Sequence, residues 1–500
     1  MEALYAIIPI ILVLVTMTVF RKGSALAGFV GWLSGLAVAV FFFGLNWQVL
    51  WISQGKGLLL TLNVLFILWP ALLLYTLVDQ VGGIRAIASA LQELITDKGW
   101  LAIIQAWMLT AMIESLAGFG MPIAIVAPMM MTLGVPPILA VASSAVGHTW
   151  TVSLGGMAMP FRILADITGI PAAELFPMSA LLLGVTAVLS GLAVMFLLRE
   201  RHYWWRVLLL GVAVAGVQFL AGSFGLLTIC AFLASLAGIV LGVVLCPRPK
   251  NWKPSRTRSA ALTAGLFAYG FLIFIIILVS VIKPLNEFLK QFSWTLQFPE
   301  SVSSNGVIMA AGPGYVLRYL THSGAMLLTS ILVSLLVFRF MPGLEHPKLG
   351  QALKTTLRGA LPASLGTLFM IGLSTIMEHT GMTVALARGL SNLVGGVYPV
   401  FTPAVGMVGA FATGSNTNSN VLFGLLQKEV AQLINASPII LLAAQTAGGA
   451  MGSMIAPAKL AVGTSTTAMK GREGEVLRYT LPIGIAMVLV VGVVAWLIGK

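Results

Sequence analysis

The chain has 500 residues, of which 59% are hydrophobic and only 9% charged. Soluble domains carry roughly 25% charged residues, so the composition excludes a water-soluble globular fold and defines an integral membrane protein. The formal charge of +13 would point to nucleic acid in a soluble chain; here it belongs in cytoplasmic loops beside a bilayer, and no nucleic-acid partner is expected.

In chain order, apolar runs at 4–20, 24–44, 58–78, 136–158 and 178–198 read as spanning helices, each near the ~20 residues a crossing needs. The first has Glu2 before it and Arg21-Lys22 after it, the reverse of a secretory signal, so it reads as a retained helix. Two more crossings fall between 206 and 247 and carry Cys230 and Cys246. On one helix these thiols stand ~24 Å apart, too far to be bridged. A basic stretch follows, and then crossings at 259–282, 323–340, 360–379, 437–458 and 478–498. The expectation is an all-α polytopic membrane protein with about 12 transmembrane helices.

Two further segments, 100–134 and 396–432, are each broken centrally, by "AGFGMP" (117–122) and "TGSNTNSN" (413–420). Irregular backbone at bilayer depth survives only when buried in protein or lining a wet cavity. Both segments therefore read as re-entrant hairpins whose tips meet at the midplane. A second pair of breaks, "VGHTWTVSLGGMAMP" (146–160) and "TAGGAMGSMIAPAKLAVG" (446–463), interrupts crossing helices. These give broken helices at 136–165 and 437–463.

The two halves echo each other. "DQVG" at 79–82 and "EHTG" at 378–381 end 299 residues apart, the offset that also relates Ser24 to Ser323 and Met178 to Leu477. A shared offset is the mark of internal duplication. It divides the chain into a first repeat (1–200), linker helices with a basic loop (201–258) and a second repeat (259–500). Seven crossings precede the second copy, an odd number, so the copies should be inverted. On that count one face collects Arg21, Lys22, Arg199, Arg201, Lys250, Lys354, Arg358 and Lys470. That face is cytoplasmic by the positive-inside rule, and both termini lie outside a cytoplasmic (inner) membrane. Inverted repeats around a midplane site are an architecture of secondary transporters.

Candidate site residues come from the breaks. The second arm of each hairpin presents unpaired N–H groups and a positive dipole end at its tip, a ready anion site. Gly118, Phe119 and Gly120 at the first tip, with Ser415, Asn416, Thr417, Asn418 and Asn420 at the second, are candidate substrate contacts; capping of a buried break is the alternative. His148 and Thr149 open the first broken-helix interruption, and Arg162 and Lys459 lie just beyond the two breaks. These cations either pair with a carboxylate substrate or snorkel to an interface. Glu114, four residues before Gly118, is the candidate proton carrier, with His148 as a second; a structural carboxyl is the alternative. The histidines are scattered and no H-E-x-x-H helix occurs, so neither an enzyme nor a metal site is expected, and no cofactor.

"ESLAGFGMPIAI" (114–125), "TGSNTNSNVLFGLLQ" (413–427) and "TAGGAMGSMIAP" (446–457) resemble the lactate permease family. The resemblance spans nearly the whole chain. It implies proton-coupled symport of L-lactate, D-lactate and glycolate. The Ser415-Asn416-Thr417 triplet also resembles the hairpin tips of a wider ion-transporter superfamily, which implies an elevator mechanism. Two features depart from the family pattern: the sequence "GHTWTVSLGG", and Lys459 where an uncharged polar residue is expected. The alternative they leave open is a sodium-coupled carrier of a dicarboxylate or sulfonate. Expected partners are thus a small organic anion, protons or sodium, and membrane lipid, with a homodimer left open.

Overall fold

The computed structural model describes residues 2–116, 121–246, 259–467 and 469–499. Its first helices are α1 (Glu2–Ala6), α2 (Ile8–Thr18), α3 (Ser24–Phe42), α4 (Trp47–Gln80) and α5 (Gly83–Leu94). Next, α6 (Lys98–Ile104) runs through a π-helical segment at Gln105–Leu109 into α7 (Thr110–Leu116), and α8 (Met121–Thr132) packs back against that segment. The first broken helix is α9 (Pro137–Gly147), a tight turn at Thr149–Thr151 and α10 (Gly155–Thr168). It is followed by α11 (Ala172–Leu197), α12 (Trp204–Ala221) and α13 (Cys230–Val244).

The second half holds α14 (Ala260–Val281), α15 (Lys283–Lys290), α16 (Ser323–Phe340), α17 (Leu349–His379) and α18 (Met382–Val394). Its hairpin is α19 (Tyr398–Thr413) with α20 (Asn416–Leu433). Its broken helix is α21 (Pro438–Gly452) with α22 (Pro457–Thr466), and α23 (Glu473–Ile498) closes the chain. A long helix, a short amphipathic helix led by a left-handed glycine (Gly82, φ 74°; Gly381, φ 80°), a hairpin and a broken helix thus follow one another twice.

Among the described residues, 11 stretches are long and apolar enough to cross a membrane, against the expected 12 or so. The difference has four local causes. The first run is split into α1 and α2, and α2 has only 11 residues. The 201–244 run counts as one stretch, although Gly225 at φ 86° kinks it between α12 and α13. The first arm of each hairpin counts as a span, within Lys98–Leu116 and Met382–Thr413, and the first broken helix does not, because its pieces α9 and α10 have only 11 and 14 residues. Two helices also outrun their expected bounds: α4 has 34 residues and α17 has 31. α4 starts at 47 because the Asn46 side chain accepts from Val49 N at 2.9 Å, an N-cap. Its first turns carry Gln48, Gln54 and Lys56, which are good helix formers but lower the hydropathy.

The 295–315 stretch adds a feature not expected from sequence. Strand β1 (Gln297–Phe298) pairs antiparallel with β4 (Gly312–Pro313), and β2 (Ser301–Val302) with β3 (Ile308–Met309). Asn46 Nδ2 and Gln48 Nε2 donate to the carbonyls of Val302 and Glu300, at 2.8 and 3.0 Å, and hold this ribbon on the start of α4.

α17 packs on both α3 and α4, with α2 against α3 and with α16 bridging α4 to α14. A second group gathers α19, α20, α21 and α23, joined by α10, α11 and α9. α17 against α20 and α4 against α10 connect the two. Outward faces are apolar: Leu26, Leu33 and Val40 of α3, seven residues apart, are exposed. A stripe of that kind suits hydrocarbon rather than water.

Candidate functional site

The second hairpin turns at Gly414, whose φ of 68° lies where a side chain would be strained. Ser415 follows in an extended conformation and caps α20, its Oγ accepting from Asn418 N at 3.3 Å. Thr413 Oγ1 accepts from Ser415 N at 3.3 Å and ties the turn to the end of α19. The polar run 416–420 is buried throughout, so each amide and hydroxyl needs partners.

Those partners come from both broken helices. Asn416 Nδ2 donates to Ser153 Oγ at 2.9 Å, and Asn420 Nδ2 to Pro160 O and Thr446 Oγ1, both at 2.9 Å. Ser153 Oγ in turn donates to Thr446 O at 2.8 Å. Ser419 Oγ donates to Gly406 O at 2.8 Å and accepts from Gln445 Nε2 at 3.1 Å. The tip is therefore fixed by the interruption of the first broken helix and by Gln445 and Thr446 inside α21 of the second, which stays helical to Gly452 although the sequence placed the break from 446. At the first interruption Gly156, Met157 and Ala158 are all left-handed, with φ of 51°, 64° and 58°. Non-glycine residues pay ~1–2 kcal/mol each for that conformation, and Met157 and Ala158 hold it inside the bonded cluster.

The other side of the tip faces a cavity of about 1160 Å3. Ser415, Thr417 and Asn418 line it with Thr367 and Lys459, and Arg21, Lys22 and Glu473 lie toward its mouth. Thr367 Oγ1 donates to Asn418 Oδ1 at 3.3 Å. Lys459 is buried on α22, with Nζ 3.3 Å from Glu114 Oε1 and donating to Ser453 Oγ at 2.5 Å. Glu114 is buried on α7, and its Oε2 has no partner among the described residues. Removing one member of so deep an ion pair typically costs 3–5 kcal/mol, because a buried charge is left alone.

The remaining sequence-derived candidates lie off this wall. Asn416 and Asn420 point into the cluster of broken helices, not the cavity, because the amides find their acceptors there. Thr149 Oγ1 donates to Val146 O at 2.8 Å, and the His148 ring bonds Ser144 O through Nδ1 at 2.8 Å. His148 is fully buried, its Nε2 has no partner among the described residues, and it feels the charges of Glu114 and Lys459. Arg162 donates to Thr228 Oγ1 at 2.6 Å and does not join Lys459. Gly118, Phe119 and Gly120 lie outside the described residues.

One polar group was not foreseen. Asn63 of α4 donates to Asp166 Oδ2 of α10 at 3.3 Å and accepts from His322 Nε2 at 2.5 Å. His322 Nδ1 accepts from Gly324 N at 3.2 Å, which fixes the proton on Nε2. Asp166 lies one helical turn beyond Arg162, so the two share a face.

A helical body with many apolar spans, a polar hairpin tip and a wide cavity that reaches the buried Lys459 defines a multi-pass membrane transporter. The family model described as L-lactate permease matches residues 2–500, and the chain belongs to that family. The glycolate permease GlcA of Escherichia coli (strain K12) is 26% identical, covering 99% of this chain and 95% of that protein. The L-lactate permease of Bacillus subtilis (strain 168) is also 26% identical, over 99% and 96%. Among solved structures, the YdaH transporter of Alcanivorax borkumensis superimposes with a TM-score of 0.56 at 12% identity, covering 95% of this chain and 98% of that one. That likeness concerns the fold alone.

Proposed function

We propose that this chain is a secondary active transporter that carries L-lactate and related 2-hydroxy monocarboxylates, D-lactate and glycolate included, across the cytoplasmic membrane together with a proton. The observation that carries the reading is Lys459, a buried cation paired with Glu114 on the wall of a cavity that ends at the N-terminus of α20. A helix N-terminus and a cation together suit one carboxylate. In this reading Ser415, Thr417 and Asn418 contact the substrate, Glu114 carries the proton, and Asn416 and Asn420 brace the tip. The names of the relatives support the substrate class.

The doubled succession of elements supports an inverted repeat, and two packed groups of helices suit an elevator in which hairpins and broken helices move together. With the basic loops cytoplasmic and both termini outside, the cavity bordered by Arg21, Lys22 and Glu473 faces the cytoplasm. A sodium-coupled carrier of a dicarboxylate or sulfonate has less support. Of the described cations lining the cavity only Lys459 is buried, which answers one anionic group and leaves no buried cation for a second.

Uptake of labelled L-lactate into proteoliposomes, with proton and sodium gradients imposed separately, tests the reading. Accumulation is expected with an inward proton gradient alone. Accumulation driven by sodium alone would replace the proposal with its alternative.

A further inference from the structure

We propose that Glu114 and the substrate carboxylate are alternative partners of the Lys459 ammonium, so that substrate gains the lysine only as Glu114 gains a proton. This rests on the transport reading above and gives it a mechanism for coupling. Lys459 is the group common to both: its Nζ lies 3.3 Å from Glu114 Oε1, and its residue lines the cavity beside Ser415 and Thr417. Ser453 Oγ, at 2.5 Å, is a neutral anchor that can hold the ammonium while its anionic partner changes.

Charge dictates the exchange. Lys459 and Glu114 are neutral as a pair, and both are buried. A monocarboxylate arriving at the ammonium leaves one negative charge unmatched in a poorly polarisable site, which is strongly disfavoured. The other cations on the cavity wall, Arg21 and Lys22, are exposed in the connection before α3 and stay in water. A proton added to Glu114 restores neutrality. Glu114 Oε2, without a partner among the described residues, can accept it with no hydrogen bond broken there. Glu114 then becomes a neutral carboxylic acid, Lys459 keeps its three protons, and one N–H turns from Oε1 to the substrate oxygen. The site sums to zero before and after, with one proton and one monoanion taken up. A fully ionised dicarboxylate would need a second proton. His148 is the other titratable group facing the pair, from the break after α9, and its Nδ1 is tied to Ser144 O; Glu473 faces the same cavity from its mouth.

The test is a proton count. Purified protein in weakly buffered detergent solution is titrated with L-lactate, with an indicator dye for protons and calorimetry for affinity. Where Glu114 starts ionised, the expected result is about one proton taken up per lactate bound, and affinity falling about tenfold per unit rise in pH. Glu114→Gln should bind lactate with no proton uptake and a flat pH profile. The double variant Glu114→Gln with Lys459→Gln keeps the pair neutral and should lose lactate affinity at every pH. Lactate binding by the parent without proton uptake, or proton uptake surviving in Glu114→Gln, would overturn the exchange alone. If Glu114→Gln does not fold, the parent's proton count still decides. Absence of any lactate binding or uptake by the parent would remove the transport reading itself, and the exchange with it.

Discussion

Asn416 and Ser153 stand 263 residues apart in sequence and share a hydrogen bond of 2.9 Å, donated by the amide at the hairpin tip to the hydroxyl in the first broken helix. The same amide reaches Thr446 O of the second broken helix at 3.4 Å. One side chain thus joins the hairpin tip to both broken helices. Asn416→Leu keeps the approximate volume and deletes these bonds, while Ser153 and Thr446 remain bonded to each other. A loss of about 1–3 kcal/mol in stability is expected, measured as a lower midpoint of thermal unfolding in detergent. L-lactate affinity of the folded fraction should change by no more than about threefold, well under the ~1.4 kcal/mol that makes tenfold, because the Asn416 amide turns to Ser153 and away from the cavity.

Gly449 is the floor on which Asn416 rests. A Cβ there would sit 1.9 Å from Asn416 Oδ1, with no room on that side. Gly449→Ala must push the tip amide out of its bonds to Ser153, and overpacking of this kind costs typically 1–3 kcal/mol. The variant should melt earlier than the parent. Combining Gly449→Ala with Asn416→Ala should recover part of the loss, because the clashing atom is gone; two additive losses would show that the contact is not the cause.

Thr417, the next residue of α20, turns about 100° from Asn416 and lies on the cavity wall. Thr417→Val preserves the shape and removes the hydroxyl. A hydrogen bond to a charged group contributes roughly 1.5–3 kcal/mol, so L-lactate binding should weaken by about ten- to a hundredfold, with little change in thermal midpoint. Equal affinity for parent and variant in calorimetry would take Thr417 off the substrate.

Much of this was legible in the sequence because a hydrocarbon-spanning chain makes polar residues conspicuous. The hairpin tip at 413–420, both broken-helix interruptions and the cation Lys459 stood out against apolar flanks. What the sequence withheld was pairing. Nothing local to Asn416 says that its amide turns toward Ser153 rather than the cavity, and nothing local to Glu114 names Lys459. Asn63, Asp166 and His322 sit singly in elements of ordinary composition, so their cluster arises only when α4, α10 and the start of α16 are brought together. The extra turns of α4 and α17 were missed for a different reason. Their first turns carry Gln48 and Lys56, or Lys354 and Arg358, so hydropathy marks where the bilayer ends rather than where the helix does.

The proposed orientation can be read directly with thiol reagents. The ribbon between α15 and α16 carries Ser304, and the turn before α23 carries Lys470; both side chains are exposed. The native Cys230 and Cys246 are buried and can be replaced by serine or alanine to give a silent background. The basic loops before α14 and before α23 should face the cytoplasm because Lys and Arg are retained on that side. Ser304→Cys should therefore react with a membrane-impermeant maleimide added to intact cells. Lys470→Cys should react only after permeabilisation. The cavity that ends at Thr417 and Lys459 has its mouth beside Gly471 and Glu473, so the same labelling also decides which compartment this conformation opens to. Reaction of Lys470→Cys in intact cells, with Ser304→Cys protected, would reverse the orientation and make the cavity outward-facing, leaving the tip and its ion pair where they are.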